Sequence, residues 1–141
     1  MLYQDDPDSM RVLVVEDDLA MRRAIIRVLQ KAGYECTGSV NAAEARAHLA
    51  EQGFGLVITD LRMWGEDGLE LVRYIGDEHP ETSTIVVTGF ADDRLAETID
   101  RSGAFALLHK PFDLSVLVEK VAGALDRRSE KVARRRHISS W

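Results

Sequence analysis

The chain has only one cysteine, Cys36, among its 141 residues. A single thiol cannot close a disulfide within the chain or build a cysteine metal site, so we expect a buried strand thiol and no redox chemistry. Long hydrophobic runs are also absent, because the longest apolar stretches are about half of the ~20 residues that a membrane-spanning helix needs. The amino terminus is acidic and lacks a basic, apolar leader, so we predict a cytoplasmic protein without a membrane span.

Positive charge is scarce in most of the chain. Residues 1–126 carry 23 Asp and Glu against 12 Lys and Arg, a net charge of −11, whereas residues 127–141 carry one acid against six bases. An acidic body repels nucleic acid and attracts cations, so we predict no direct binding of nucleic acid. We expect a disordered acidic leader at 1–10, a folded domain at 11–126, and at 127–141 a basic tail that is either a solvated helix end or the start of a linker.

The sequence does contain a regular alternation of strand-like and helix-like segments. Capping residues such as Asp18, Asn41 and Asp113 mark the beginnings of amphipathic helices. The predicted strands cover residues 12–15, 34–40, 56–59, 84–88 and 105–109, and the helices that follow them end near residues 32, 51, 75, 101 and 125. Runs such as LVVE, LVIT and TIVVT do not alternate apolar with polar residues, which indicates a parallel sheet covered on both faces by helices. The predicted fold class is therefore α/β, with five βα units.

Charged and hydroxyl side chains follow the predicted strands at their carboxyl ends. Glu16 and Asp17 follow the first strand, Asp60 ends the third, Thr88 ends the fourth and Lys110 follows the fifth. If the first and third strands are neighbours, three carboxylates converge, and like charges ~4 Å apart repel by about 4 kcal/mol per pair at an effective dielectric near 20. A hard cation relieves this repulsion, and a site with few ligands, all oxygens, favours Mg²⁺ over Ca²⁺.

This set of groups indicates phosphoryl transfer. A carboxylate, a divalent cation, a lysine and a hydroxyl can position a phosphoryl group and neutralise its oxygens without a histidine or cysteine nucleophile. The four histidines are scattered along the chain, and we assign none of them as a phosphate carrier. Asp60 is the candidate nucleophile, which would form an acyl phosphate surrounded by the cation, Lys110 and Thr88.

Four segments carry a family resemblance. They are VLVVEDD at 12–18, TDLRMWGEDGLEL at 59–71, VVTG at 86–89 and GAFALLHKPF at 103–112. Their ordered set, over about residues 11–126, resembles the receiver domain of two-component response regulators. The resemblance implies a flavodoxin-like, doubly wound sheet of five parallel strands in the order 2-1-3-4-5 with five helices.

The resemblance also implies a chemistry for the acidic residues. It implies that a sensor histidine kinase or a phosphotransfer protein phosphorylates Asp60. Glu16 and Asp17 match the family's acid pair, and the expected direct Mg²⁺ ligands are Asp17, Asp60 and the backbone carbonyl of Arg62.

The remaining matches to the family concern the residues that are expected to respond to phosphorylation. Thr88, followed by Gly89, matches the switch hydroxyl, Lys110 matches the phosphate-pairing lysine, and Pro111 matches a proline whose preceding peptide is usually cis. Phosphorylation is expected to move the loop from Thr88 to Phe90 and to reshape the face of the fourth helix, fifth strand and fifth helix. That face would control an output domain or protein and offer a contact for a homodimer. The protein would be a regulatory phosphoacceptor that assists its own phosphorylation and dephosphorylation, rather than an enzyme.

Two departures from the family pattern affect the switch. Trp64 stands where a proline is common, with Gly65 after it to restore the bend, and Leu107 stands where an aromatic side chain usually reports phosphorylation. Strand alternation predicts that Phe105 and Leu107 point to the same face, so we hypothesise that they form a modified switch surface. Arg62 lies where its side chain can meet incoming water, and we expect it to influence the lifetime of the phosphoryl group.

Three other interpretations remain open. An aspartyl-phosphate phosphatase or transferase normally has a second acid two residues after the nucleophile, where this chain has Arg62. A flavin-binding module needs a phosphate loop of small residues after the first strand, but EDDLAM at 16–21 is acidic. A pseudo-receiver that acts as a constitutive interaction module is the third, and the intact acid trio argues against it.

Overall fold

Five strands alternate with five helices along the chain. The computed structural model describes residues 6–62, 67–89 and 93–139, with side chains as far as residue 137. In chain order the elements are a short 3-10 helix (Pro7–Met10), β1 (Arg11–Val15), α1 (Leu19–Lys31), β2 (Glu35–Ser39), α2 (Ala42–Glu51), β3 (Leu56–Asp60), α3 (Gly68–Glu78), β4 (Ser83–Thr88), α4 (Asp93–Arg101), β5 (Ala106–His109) and α5 (Leu114–Ser139). All bounds except the end of α5 lie within a few residues of those predicted.

The strands form one parallel sheet in the order β2-β1-β3-β4-β5. This order confirms the predicted flavodoxin-like fold. β1 and β3 are direct neighbours at the centre of the sheet, with Val15 paired to Thr59. The residues that follow these two strands are therefore brought to the same edge, where open α/β sheets bind their ligands.

Helices cover both faces of the sheet. On one face α1 and α5 pack against β1, β3 and β4 through a cluster that includes Ile25, Leu29 and Leu117, all with no exposed surface. On the other face α2 and α3 bury Leu49, Leu71 and residues of β1 and β3. Burying one such side chain stabilises the fold by roughly 1.5–3 kcal/mol, so the two clusters fix the sheet between its helical layers.

Local capping sets where the first helices begin and end. The Asp18 side chain accepts hydrogen bonds from the backbone N–H groups of Ala20 and Met21, and Asn41 accepts one from Glu44. Gly33 follows α1 with φ +101°, a left-handed conformation that side chains disfavour. These caps are the ones that the sequence predicts for both helices.

The amino terminus differs from expectation, and the carboxyl terminus takes one of its two expected alternatives. The leader was predicted to be disordered, but residues 7–10 form a helical turn capped by Asp6. The apolar period of α5 ends near residue 125, and the segment at 127–141 was expected to be either a solvated helix end or the start of a linker. α5 continues through this basic segment to Ser139, so the helical alternative is correct. The reason is a buried ion pair: Arg128, 3% exposed, bonds Asp6 at 2.7 Å and the Glu81 carbonyl at 2.8 Å. Val132, 4% exposed, extends the packed face of the helix.

A few sequence-based predictions lie outside the described residues. They concern Trp64, Gly65, the Phe90 end of the switch loop, and Asp92 as the first residue of the fourth helix. In the described part of the chain, no helix combines the length and the apolar character that crossing a membrane requires.

Candidate functional site at the carboxyl edge of the sheet

Three carboxylates meet where β1 and β3 end. Glu16 and Asp17 follow β1 directly, Asp60 is the last residue of β3, and one carboxylate oxygen from each lies within 4.8 Å of the others. Glu16 is 1% exposed and Asp60 is 7% exposed, whereas Asp17 is open to solvent. The structure thus brings together the three acids that the sequence placed at neighbouring strand ends.

Lys110 brings the compensating charge from the end of β5. Its ammonium nitrogen lies 2.6 Å from Oδ2 of Asp60 and 2.7 Å from Oε1 of Glu16. Its backbone N–H donates to the carbonyl of Thr88 at 2.7 Å, and the Lys110–Pro111 peptide bond is cis. One lysine therefore bridges two of the three acids across four strands of the sheet.

The electrostatics of the site follow from burial and crowding. Burial raises the pKa of Glu16 to about 7, even though the hydrogen bond from Lys110 opposes this shift, and the charge of Asp60 adds to it. Burial alone would lower the pKa of Lys110, but its bonds to Asp60 and Glu16 raise that pKa above the ordinary value. Without a cation, Lys110 therefore stays charged, and the ionisation of Glu16 is less favourable than that of an exposed glutamate.

The backbone around Asp60 is held closely. The N–H of Arg62 donates to Oδ1 of Asp60 at 3.1 Å, and the Arg62 side chain is exposed. Gly68, at the start of α3, packs so near that a Cβ there would lie 2.2 Å from the Asp60 carbonyl oxygen. The Asp-Gly pair at 67–68 was noted in the sequence as part of a motif, but this close approach was not predicted.

Arg22 is a further residue that the sequence did not single out. Its guanidinium donates to the Glu16 carbonyl at 2.7 Å, so α1 holds the backbone that presents Glu16 and Asp17. An arginine on the first turn of a helix has no distinctive pattern by which a single sequence could reveal this contact.

Thr88 and Gly89 lie beside the acids. Thr88 is the last residue of β4 and is fully buried, and in the register of β3 and β4 it follows the partner of Asp60 directly. Gly89 is exposed and begins the loop after the strand. The described residues thus place the predicted switch hydroxyl one strand away from the candidate phosphoacceptor.

The donor set fits the predicted cation. Among the described residues it consists of carboxylate oxygens with an exposed edge at Asp17, which leaves room for water in the coordination of a small, hard ion. Asp60 and Glu16 each have one oxygen occupied by Lys110, so a cation would share these acids with the lysine.

Comparison with known proteins agrees with this geometry. Residues 12–122 match the response regulator receiver domain family. This chain belongs to that family. The match begins within β1, the strand that leads to Glu16, and it spans all later strands and helices except the last part of α5.

Several receiver proteins show how far the likeness extends. The response regulator receiver protein CpdR of Brucella abortus is 39% identical over 111 residues, covering 79% of this chain and 92% of that protein. The DNA-binding transcriptional regulator NtrC of Escherichia coli is 37% identical over 85% of this chain but only 26% of its own length. A CheY-like receiver domain from Methanospirillum hungatei has 29% identity and a TM-score of 0.81, covering 86% of this chain and 97% of that one.

The receiver's predicted switch surface needs a correction. Phe105 and Leu107 were expected on one face, but Phe105 packs against the cluster under α1 and α5, whereas Leu107 packs with Leu61 and Ile99 under α3 and α4. The alternation fails because β5 begins only at Ala106. Phe105 precedes the regular strand and turns toward Gly123 of α5. The two side chains therefore do not form one surface.

Proposed function

We propose that this receiver domain is a phosphorylation-dependent switch whose acceptor is Asp60. The observation that carries the proposal is the contact of Lys110 with Asp60 at 2.6 Å beside two further carboxylates. A phosphoryl group on Asp60 would find an ammonium already in place, and the neighbouring acids would hold a cation. The phosphoryl donor is a phosphohistidine of a sensor histidine kinase or of a phosphotransfer protein.

The transfer forms one bond and breaks another. An Asp60 carboxylate oxygen attacks the phosphorus, the bond from phosphorus to the donor histidine nitrogen breaks, and that nitrogen keeps the electron pair. Lys110 pairs with a phosphoryl oxygen as it moves away from the Asp60 carboxylate, and the Thr88 hydroxyl donates to another. Asp17, Asp60 and the Arg62 carbonyl would hold Mg²⁺ with Glu16 beside it, and the ion would supply neutralising charge for the transferring oxygens.

The switch follows from the added charge. A phosphoryl group brings roughly −1.5 to −2 charges, which gives Thr88 and Gly89 a new hydrogen-bonding partner and favours a different loop arrangement. The change then reaches the face of α4, β5 and α5, which we propose controls an output domain or protein and a homodimer contact. The domain assists its own phosphorylation and dephosphorylation and is otherwise regulatory, and its cytoplasmic location remains a prediction from the sequence.

Intact-mass measurement after incubation with acetyl phosphate and Mg²⁺ tests this function. The native protein should gain a single adduct of about 80 Da, the mass of one phosphoryl group. The adduct should be absent from Asp60→Asn and from a reaction with a chelator, whereas Asp77→Asn, a change at an exposed residue of α3, should form it normally. An adduct on Asp60→Asn, or none on the native protein, would contradict the proposal, and the latter result would indicate a pseudo-receiver.

A further inference from the structure

A cavity at the opposite, amino-terminal edge of the sheet has a basic wall. It encloses about 480 Å³ between the start of β4, the turn before β5 and the last turns of α5. Arg127, Lys131 and Arg135 line it from α5, and we call these three residues the basic stripe. Cavities of this size accept small molecules rather than single ions.

The basic stripe is a regular feature of the helix. Its residues are four positions apart, so they lie along one face at intervals of about 6 Å. Like charges at this spacing repel each other along a helix, and the described residues place no carboxylate oxygen within 4.0 Å of any of the three cationic groups. An anion in the cavity would relieve this repulsion.

The helix that carries the basic stripe is held in place before any ligand arrives, although the three residues of the stripe are themselves exposed. Arg128 is buried and bonds both the Asp6 carboxylate and the Glu81 carbonyl, so its own charge is already neutralised. Val132 is buried one turn further along. These contacts fix the helix that carries the stripe, and a preformed site loses less freedom on binding than a mobile one.

The rest of the lining limits the kind of anion. Two acidic residues, Glu81 and Asp100, also line the cavity, together with polar residues such as Ser102 and Thr84. A bare inorganic anion would meet these two acids unfavourably. A molecule with phosphate groups at one end and N–H or O–H donors at the other can pair with the basic stripe and also donate hydrogen bonds to these two acids.

We propose that this cavity binds a phosphorylated small molecule of the nucleoside phosphate class. The phosphates lie against the basic stripe, and the base or sugar donates hydrogen bonds to Glu81 and Asp100. The site is separate from the acidic cluster at the other edge of the sheet, and it requires the part of α5 that lies beyond residue 126.

Calorimetric titration of the full chain with ATP, GTP and inorganic triphosphate tests the proposal. A chelator is included, which removes any cation that could hold phosphates at the acidic cluster. At least one nucleotide should bind saturably with one site per chain and more tightly than triphosphate. Arg135→Ala should weaken that binding by about tenfold, the effect of losing one charged contact.

The matched control is the neighbouring residue of the same type. Arg134 is exposed on α5 and does not line the cavity, so Arg134→Ala should change the affinity by less than about twofold. Unchanged melting temperatures would show that both variants fold. The proposal is overturned by an absence of saturable nucleotide binding up to millimolar concentration, by equal weakening in the two variants, or by triphosphate binding as tightly as the nucleotides.

Discussion

Glu16 is the most deeply buried acid of the acidic cluster formed by Glu16, Asp17 and Asp60, with 1% of its surface exposed. Its sequence neighbour Asp17 is open to solvent, so two adjacent carboxylates have different roles in the same cluster. Burial raises the pKa of Glu16 to about 7, although its hydrogen bond from Lys110 opposes this shift, so Glu16 changes its protonation state close to physiological pH. This property gives the cation-free protein a pH-dependent stability.

The first prediction concerns the pH dependence of unfolding without a divalent cation. Between the unfolded pKa of 4.5 and the folded value of about 7, the folded protein binds the Glu16 proton more strongly, so the Glu16 contribution to stability falls as pH rises through this window. Glu16→Gln cannot ionise. The variant should gain up to about 3 kcal/mol relative to the native protein between about pH 5 and about pH 8 in chemical denaturation. This prediction is wrong if the unfolding free energies of the two proteins change in parallel with pH.

The second prediction concerns Arg62. Its backbone N–H donates to Asp60 and its side chain is exposed, so we expect the side chain to limit the approach of water to an acyl phosphate on Asp60. Arg62→Ala should therefore shorten the phosphoryl lifetime by at least about twofold, as followed by loss of the mass adduct after the donor is removed. Arg73→Ala, at an exposed position on α3, serves as the control and should leave the decay unchanged. An indistinguishable decay rate in Arg62→Ala would reject this role.

At the scale of secondary structure, the elements best predicted were those with local signals. Apolar runs predicted β1, β3 and β4, and Asp18 and Asn41 predicted the starts of α1 and α2, where their side chains accept hydrogen bonds from backbone N–H groups. The sequence left open whether α5 continues beyond residue 125, because the apolar period stops there. What continues the helix is the bond between Arg128 and Asp6, which are 122 residues apart, and no local pattern reveals such a pair.

The third prediction follows from this buried ion pair. The bond from Arg128 lowers the pKa of Asp6 despite the opposing effect of burial, so its stabilisation is present above the unfolded pKa of 3.8 and is lost as pH falls through the lower folded value. Asp6→Asn should cost about 3 kcal/mol of unfolding free energy at neutral pH, because it leaves a buried guanidinium without its counter-charge. Asp8→Asn, which removes only the partly exposed pair with Arg11, should cost less than about 1 kcal/mol. Equal effects of the two changes would show that the pair does not anchor α5.

The fourth prediction concerns the separation of Phe105 from Leu107. Leu107 contacts the cluster under α4, so Leu107→Ala should reduce the phosphorylation-dependent shifts of α4 amide resonances by about half or more. Phe105 contacts the α5 side and should mainly affect stability when replaced by alanine. The assignment is wrong if both substitutions change the α4 shifts to the same extent.

At the scale of the whole molecule, the sequence predicts a covered parallel sheet but does not by itself predict the order of its strands. Unbroken apolar strands indicate a covered parallel sheet, but the order of the strands came from the family resemblance, because an apolar run does not specify its neighbour. The convergence of Glu16, Asp17 and Asp60 depends on that order, since β1 and β3 must be adjacent. The contacts of Arg22 and Gly68 depend on the packed helices and could not be read from spacing alone.

The whole molecule also separates its charges. The acidic cluster lies at the carboxyl edge of the sheet, and the basic stripe lies at the amino edge, on the last turns of α5. Because these two groups of residues have opposite charge, we expect them to bind different ligands: a divalent cation with a phosphoryl group at the acidic cluster, and the proposed phosphorylated small molecule at the basic stripe. The sheet between them is the rigid element that keeps the two sites apart.

A crystal structure of the protein with Mg²⁺ and beryllofluoride tests the central claim most directly, because beryllofluoride occupies the place of a phosphoryl group on a carboxylate. We predict beryllium bonded to the Asp60 carboxylate, Lys110 within hydrogen-bonding distance of a fluoride, and Mg²⁺ bound by Asp17, Asp60 and the Arg62 carbonyl at about 2.1 Å. Beryllofluoride on any other carboxylate, or Mg²⁺ without a bond to Asp17 and Asp60, would contradict the account.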